Sequence, residues 1–319
     1  MTEISFINVG YGEAILIKHN NRWALIDGGS SLPQEFVGNR TSLKEYLKQQ
    51  NIETLEFVVV THIHEDHVCG INEILNSVEI KHFYLPYFPN IVGSKDIELL
   101  DDQPFNLYAY AKAFNGYKEI LTFAKENKIK CTNVALFRHI SPFGDLFRID
   151  VVEPSYQSTL RYSRLLEVLS SETDVTKQWD LIKFLDAESN DHSLVTILRV
   201  DNSSLILTAD NCPSNWDDKT FLFLRNGNVL KLPHHGQADA VDTKLLSNLG
   251  VEYVVTSTSS DRRHNSANKI VYDQIKGAKK DVEFLFTDET EYLPYFINKR
   301  TNLQALTFVI KDKKIELKM

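Results

Sequence analysis

The sequence predicts a layered α/β sandwich. Short β-rich runs occur near both ends of the 319-residue chain, and segments with helical spacing lie between them. A continuous apolar run, Phe57–Val60, is typical of a strand that is covered on both faces of its sheet. Hydrophobic residues make up 43% of the chain and charged residues 24%, so a sizeable core can form.

The first third of the chain opens a sheet as an antiparallel meander. Ile4–Val9 and Ala14–Lys18 are β-rich runs, and turn-prone residues 10–13 separate them. Trp23–Ile26 is a third run, which ends at Asp27 and the two glycines after it.

Helices are predicted on either side of the apolar strand. The spacing of leucine and tyrosine predicts a helix over Thr41–Gln50, with Thr41 or Ser42 able to cap its start. A second helix is predicted over Val68–Leu75.

The segment from about residue 86 to residue 190 is read as a helical insertion within one domain that spans residues 1–319. It contains the amphipathic stretch Leu107–Lys128, the strand Leu146–Val152 and the polar, helix-like stretch Thr159–Ala187. No Gly/Ser linker or change in composition marks a boundary between two domains.

Regular β-patterning returns in the last third. Two runs, Leu194–Val200 and Ser204–Thr208, predict a hairpin with its turn at Asp201 and Asn202. The other predicted elements are the strands Val229–Leu232, Tyr253–Ser257, Phe284–Thr287 and Leu306–Ile310, and a helix over Asn268–Lys276.

Charge and cysteine content exclude several classes of protein. The formal net charge of −8 argues against a generally basic nucleic-acid binder, although a local basic groove is compatible with it. Cys69, Cys131 and Cys212 lie far apart and form no CxxC pair, so neither a disulfide framework nor a zinc knuckle is predicted. The chain has no secretory signal pattern and no apolar run of membrane-spanning length, and we expect a cytoplasmic protein.

Residues 61–67 read THIHEDH and directly follow the apolar strand. Residues i and i+2 of a strand share a face, so the strand end can aim His62 and His64 the same way. Asp66 and His67 then fall in the next turn and the start of a helix. Imidazole and carboxylate are the groups that bind Zn²⁺, Mn²⁺ or Fe, and this density of them indicates a metal site more than a chance polar loop.

The stretch THIHEDHVCGI resembles the H-x-H-x-D-H signature of the metallo-β-lactamase superfamily. FINVGYGEAILI and WALIDGG are similar to the opening motifs of one branch, the hydrolase domain of competence DNA-uptake (ComEC-type) proteins. Three later segments also resemble that branch, in the same order along the chain: SLVTILRVDNSSLILTAD, VLKLPHHGQ and SSDRRHNSA.

The resemblance implies a four-layer αββα sandwich that carries two divalent metal ions, with zinc or manganese expected. His62 and His64 would bind the first metal, while Asp66 and His67 would bind the second. Asp210 would bridge the two ions. Either His234 or His235 would complete the second site, and His234 is preferred because it comes first after its strand.

Three further residues take expected roles from the same resemblance. His192 is either the remaining ligand of the first metal or a neighbour that only hydrogen-bonds, and the sequence leaves both readings open. Asp27 would support the histidine loop without ligating a metal. His264 would steady the substrate or protonate a leaving group, or else it is an exposed loop histidine. Arg262 and Arg263, next to it, could meet a phosphate or form a solvated pair.

The expected activity is that of a metal-dependent phosphodiesterase acting on nucleic acid, with DNA as the leading substrate. Six basic residues are candidate phosphate contacts: Lys44, Lys48, Arg161, Arg164, Arg262 and Arg263. The alternatives are hydrolysis of a small molecule, such as a cyclic nucleotide, thioester or lactam, and a catalytically inactive interaction module. By analogy alone, the protein would work with a protein partner from a multi-gene system, such as a defence against phage.

Overall fold

The computed structural model describes residues 1–135, 138–289 and 304–318, which form two large sheets and a two-stranded ribbon. In chain order the strands are β1 Thr2–Ile7, β2 Ile15–His19, β3 Arg22–Ile26, β4 Thr54–Leu55, β5 Phe57–Val59, β6 Glu79–Ile80, β7 His82–Leu85, β8 Lys130–Asn133, β9 His139–Ile140, β10 Phe147–Glu153, β11 Val195–Val200, β12 Ser203–Leu207, β13 Val229–Lys231, β14 Tyr253–Thr256, β15 Glu283–Phe286, β16 Ala305–Lys311 and β17 Lys314–Leu317.

Each large sheet combines antiparallel and parallel strands. The first has the order β17-β16-β1-β2-β3-β5-β7-β8 and is parallel from β3 to β8. The second has the order β15-β14-β13-β12-β11-β10-β9 and is parallel from β12 to β15. The expected meander over β1, β2 and β3 is antiparallel throughout.

Within the described residues, eight α-helices cover the outer faces of the two sheets. They are α1 Leu43–Gln49, α2 Glu65–Asn72, α3 Phe105–Glu126, α4 Tyr156–Ser171, α5 Val175–Ser189, α6 Asp218–Leu224, α7 Thr243–Asn248 and α8 Lys269–Ala278. Ser42 caps α1 by accepting a hydrogen bond from the backbone N–H of Glu45. None of the helices in the described residues has the length and apolarity needed to cross a bilayer.

Three apolar cores separate the four layers. On β12, Leu205 and Leu207 point into the core between the sheets, whereas Ile206 points outward against α6 to α8. Residues of α1 to α5 form the third core on the outer face of the first sheet. The order helix, sheet, sheet, helix confirms the predicted αββα sandwich.

Most predicted elements are present with shifted ends. Helix α2 begins at Glu65, three residues before the predicted start, and the long polar stretch 159–187 divides into α4 and α5. Residues 86–190 also supply β8 to the first sheet and β9 and β10 to the second. The strands β4, β6, β7, β8, β9 and β17 are not predicted from the sequence, because each has at most four residues and most of them mix polar with apolar residues.

The parallel strands bring the segments of interest to one rim of the sandwich. The carboxyl ends of β3 and β5 are adjacent, so Asp27 lies beside residues 61–67. The carboxyl ends of β12 and β13 are likewise adjacent, so Asp210 lies beside residues 233–236. Side chains from four separate segments therefore converge at this rim.

Candidate metal centre

The first group of potential ligands lies directly after β5. His62 is fully buried, and its Nε2 lies 3.1 Å from Nδ1 of His64. The same Nε2 lies 4.0 Å from Oδ2 of Asp210. These three side chains can each turn one donor atom to a common point, since the donor atoms lie within 4.8 Å of one another.

The second group combines the start of α2 with the ends of β12 and β13. Nε2 of His67 lies 3.6 Å from Oδ2 of Asp66 and 3.4 Å from Oδ1 of Asp210. Nε2 of His235 lies 3.1 Å from Oδ2 of Asp66 and 3.4 Å from Oδ2 of Asp210. Two imidazoles and two carboxylates thus surround one small volume.

Asp210 belongs to both groups. Its carboxylate faces His62 on one side and the pair His67 and His235 on the other. Nε2 of His67, Nε2 of His235 and Oδ1 of Asp210 are buried, and none of these atoms has a hydrogen-bond partner among the described residues. Buried ring nitrogens and carboxylate oxygens that face each other without hydrogen bonds fit a divalent cation, because binding the cation would satisfy all of them at once.

Asp27 organises the histidine loop from behind. Its Oδ1 accepts a hydrogen bond from the backbone N–H of Thr61 at 2.8 Å, and its Oδ2 accepts from the Thr61 hydroxyl at 2.6 Å. Oδ2 also accepts from Nδ1 of His67 at 2.8 Å. This contact places the His67 proton on Nδ1 and leaves the Nε2 lone pair for the cluster, which is the supporting role expected of Asp27.

A backbone carbonyl orients His235 in the same way. Nδ1 of His235 donates to the carbonyl oxygen of Ser257 at 2.9 Å, so its Nε2 points at Asp66 and Asp210.

Gly70 helps to seat α2 beside this cluster, since a Cβ atom there would come within 1.9 Å of the carbonyl oxygen of Gly28. Only glycine allows that approach.

The electrostatics of the cluster suit cations. Burial alone would lower the pKa of His235, but the carboxylates of Asp210 and Asp66 outweigh it and raise the pKa to about 9. The same two carboxylates hold the pKa of His67 well above its usual value, against the effect of burial. Burial opposes ionisation of Asp210, yet His235 and His67 keep the pKa of Asp210 well below its usual value. The carboxylates therefore favour a positive charge within this cluster.

His234 is not in the cluster, which corrects the preference stated above. Its Nδ1 lies 3.0 Å from Oδ2 of Asp239, and its Nε2 lies 2.9 Å from the amide nitrogen of Gln237. His234 and His235 both have positive φ values, 47° and 52°, so the backbone turns sharply between them and sends the two rings in different directions. It is the second histidine that joins Asp66, His67 and Asp210.

His192 also lies apart from the potential ligands. Its Nδ1 is 2.9 Å from the hydroxyl of Ser158, and its ring packs against Tyr162 at 4.6 Å between centroids. Of the two readings left open by the sequence, the structure supports the hydrogen-bonding neighbour. A short turn over Asn190–His192 follows α5 and directs this ring toward α4.

A cavity of about 330 Å³ opens in front of the cluster. Its wall includes Asp66 and Asp210, and His264 and Arg263 also line it. Arg263 forms an ion pair with Glu35. Burial lowers the pKa of His264, so its ring is mostly neutral at pH 7.

Two residues at the site were not anticipated from the sequence. Oδ1 of Asp186, on α5, lies 3.5 Å from Nε2 of His64 and so faces the ring nitrogen that is turned away from His62. Lys231 is fully buried at the end of β13, where it pairs with Glu13 and lies 3.8 Å from Oδ1 of Asp210. A lone charge within an otherwise ordinary helix or strand pattern gives no sequence signal.

We predict that Asp27→Asn weakens metal binding by about 10- to 100-fold, as is typical when the partner of a ligating histidine is lost. An asparagine amide must turn its NH₂ group toward either the Thr61 N–H or the N–H of His67, where it finds a second donor. The left-handed backbone at residue 27, with φ of 55°, is accessible to asparagine. Competition with a coloured chelator measures the affinity.

The matched control is Asp218→Asn, because the Asp218 side chain is 89% exposed. Asp218→Asn should bind metal like the original protein. Equal affinities for both variants would contradict the role of Asp27.

One family model matches part of the sequence. The sequence model of the metallo-β-lactamase superfamily matches residues 7–87, which contain Asp27 and the whole histidine motif. No curated protein matches the chain in sequence.

Several solved structures are similar in shape. The metallo-β-lactamase fold protein YhfI from Bacillus subtilis is 13% identical, with a TM-score of 0.46 over 91% of this chain and 97% of that one. A metallo hydrolase from Ignicoccus hospitalis is 14% identical, with a TM-score of 0.47 over 97% and 100%. The short form of human tRNase Z is 9% identical, with a TM-score of 0.40 over 93% and 98%. Residues 7–87 are therefore similar in sequence to the metallo-β-lactamase superfamily, and the layers of the described chain have the αββα order that this similarity implies.

Proposed function

We propose that this protein is a metal-dependent hydrolase that uses two divalent cations, with zinc or manganese expected, to cleave phosphodiester bonds. The observation that carries the proposal is the position of the Asp210 carboxylate between two groups of imidazoles. A carboxylate that faces both groups would let two cations share it, as a paired-metal site could. His62 and His64 would hold one cation, and Asp66, His67 and His235 the other.

Two such cations supply a bound water whose pKa falls from 15.7 toward about 7, and they neutralise charge on the phosphate. The chain contributes orientation to this chemistry. Asp27 and the Ser257 carbonyl fix the proton positions on His67 and His235. His264, which is mostly neutral at pH 7, suits a hydrogen bond to a substrate oxygen better than protonation of a leaving group.

The resemblance to the competence DNA-uptake branch supports nucleic acid, and DNA in particular, as the substrate. The cavity volume of about 330 Å³ suits a single nucleotide at the end of a strand better than a duplex. Phe105 lines the cavity and is 52% exposed, so a base could stack on it. Of the other aromatic residues in this region, Tyr84, Tyr87 and Tyr110 are buried, whereas Phe88 is 41% exposed but does not line the cavity.

A small phosphodiester, such as a cyclic nucleotide, is the second candidate. Of the six basic residues expected to contact phosphates, only Arg263 lines the cavity, and it is already paired with Glu35. Arg161 and Arg164 line a separate surface depression on α4. A small anion needs fewer cationic contacts than a strand does.

The test is hydrolysis by the purified protein with Mn²⁺ or Zn²⁺. The substrates are plasmid, linear and single-stranded DNA, a cyclic nucleotide, and bis(p-nitrophenyl) phosphate. We expect cleavage of a DNA substrate that is lost in Asp66→Ala and His67→Ala and retained in the surface variant Asp218→Asn. Turnover of only the small phosphodiesters would select the second candidate. Turnover of neither class by fully metal-loaded protein would contradict the proposal.

A further inference from the structure

A second cluster of ligand-type side chains lies beside the metal centre and shares none of its residues. Cys212 follows β12, while His234 and Asp239 follow β13. One donor atom from each of the three lies within 4.8 Å of the other two. Thiolate, imidazole and carboxylate together form a donor set that suits borderline cations such as Zn²⁺ and Co²⁺.

We infer that Cys212, His234 and Asp239 form an accessory site for a Zn²⁺-type cation at the wall of the cavity. Nδ1 of His234 lies 3.2 Å and 3.0 Å from the two carboxylate oxygens of Asp239. Sγ of Cys212 lies on the inner side, 3.6 Å from the carbonyl oxygen of Asp210. Three protein ligands leave one coordination position open to water.

The three side chains differ in their exposure to solvent. Cys212 is only 7% exposed, whereas the side chains of His234 and Asp239 are 21% and 56% exposed. A cation can therefore arrive from solvent at the carboxylate and reach the thiol last. Because the site contains only one cysteine, the spacing of cysteines along the chain gives no sign of it.

The protons balance with local adjustments. Binding through sulfur requires loss of the Cys212 thiol proton to solvent. Binding through Nδ1 requires His234 to carry its proton on Nε2. Nε2 lies 2.9 Å from the side-chain amide of Gln237, which also contacts the Tyr11 hydroxyl at 3.2 Å. The amide nitrogen of Asn190 lies 3.2 Å from the same Nε2. A half-turn of both amides presents oxygens to the Nε2 proton, and the Gln237 oxygen can also accept from the Tyr11 hydroxyl, so one proton is released for each cation bound.

The site adds positive charge where the cavity is rich in acids. His234 lines the cavity together with Asp210, Asp186 and Glu35. A cation held on its Nδ1 side would offset these carboxylates beside the position of a substrate anion.

Cobalt absorption tests this inference directly. The metal centre built on Asp210 contains no sulfur ligand, so a near-ultraviolet thiolate-to-cobalt charge-transfer band reports only on a cysteine site. We expect metal-free protein, titrated with Co²⁺ under reducing conditions, to develop this band. Cys212→Ser should lose it and bind one cobalt ion fewer per chain.

Two further variants complete the test. Asp239→Asn changes an exposed residue and should weaken the band-forming site by at least about tenfold. The control Cys131→Ser, on β8, should keep the band at full intensity. The inference is overturned if cobalt-saturated original protein shows no charge-transfer band, or if Cys212→Ser retains it. The first of these outcomes needs no variant to fold.

Discussion

Asp210→Asn is expected to lower the hydrolytic kcat by at least about 10³-fold, because Asp210 belongs to both groups of potential ligands and its loss would disrupt the paired-cation chemistry of the proposed function. Asparagine keeps the size of the side chain but replaces one oxygen with an NH₂ group. Depending on its orientation, that NH₂ group would face Nε2 of His62, His67 or His235, each of which now faces a carboxylate oxygen. The variant should also bind at least one metal ion per chain less than the original protein does, as measured by elemental analysis after gel filtration.

The loss must be separated from a general effect of removing an acid. Asp218→Asn removes an exposed carboxylate on α6 and should leave both kcat and metal content unchanged. If Asp210→Asn kept its turnover within about tenfold of the original protein, catalysis by a shared pair of cations would be wrong.

The sequence predicts the ends of the strands at this rim better than it predicts where side chains point. The apolar runs locate β5 and β12, and the motif after β5 identifies His62, His64, Asp66 and His67. The choice between His234 and His235 depends on two left-handed backbone conformations, which no residue pattern encodes.

Contacts between distant segments explain the other omissions. Asp186 is an ordinary acidic residue of α5 until the packing of α5 brings it to His64. Lys231 stands in a short β-run, where a lysine usually marks an exposed face. Its burial becomes evident only once the fold places Glu13, which is distant along the chain, beside it.

Lys231 balances the acids at the base of the metal centre. Its Nζ pairs with Glu13, donates to the carbonyl oxygen of Ala209 at 2.8 Å and lies 3.8 Å from Oδ1 of Asp210. Burial alone would lower the pKa of Lys231, but Glu13 and Asp210 outweigh it and raise the pKa above 10.5. Because the folded pKa is the higher one, this stabilisation is complete at neutral pH and is lost only as pH rises through the folded value.

Lys231→Met is therefore expected to lower the free energy of unfolding by about 3–5 kcal/mol at pH 7, since it leaves Glu13 buried without its counter-charge. Urea unfolding of the metal-free protein measures the change. The double variant Glu13→Gln with Lys231→Met should recover part of the loss, because both buried charges are then gone. Lys244→Met, which removes a lysine that is 61% exposed, should change the stability by no more than about 0.5 kcal/mol. A Lys231→Met protein as stable as Lys244→Met would mean that this buried pair contributes nothing to the free energy of unfolding.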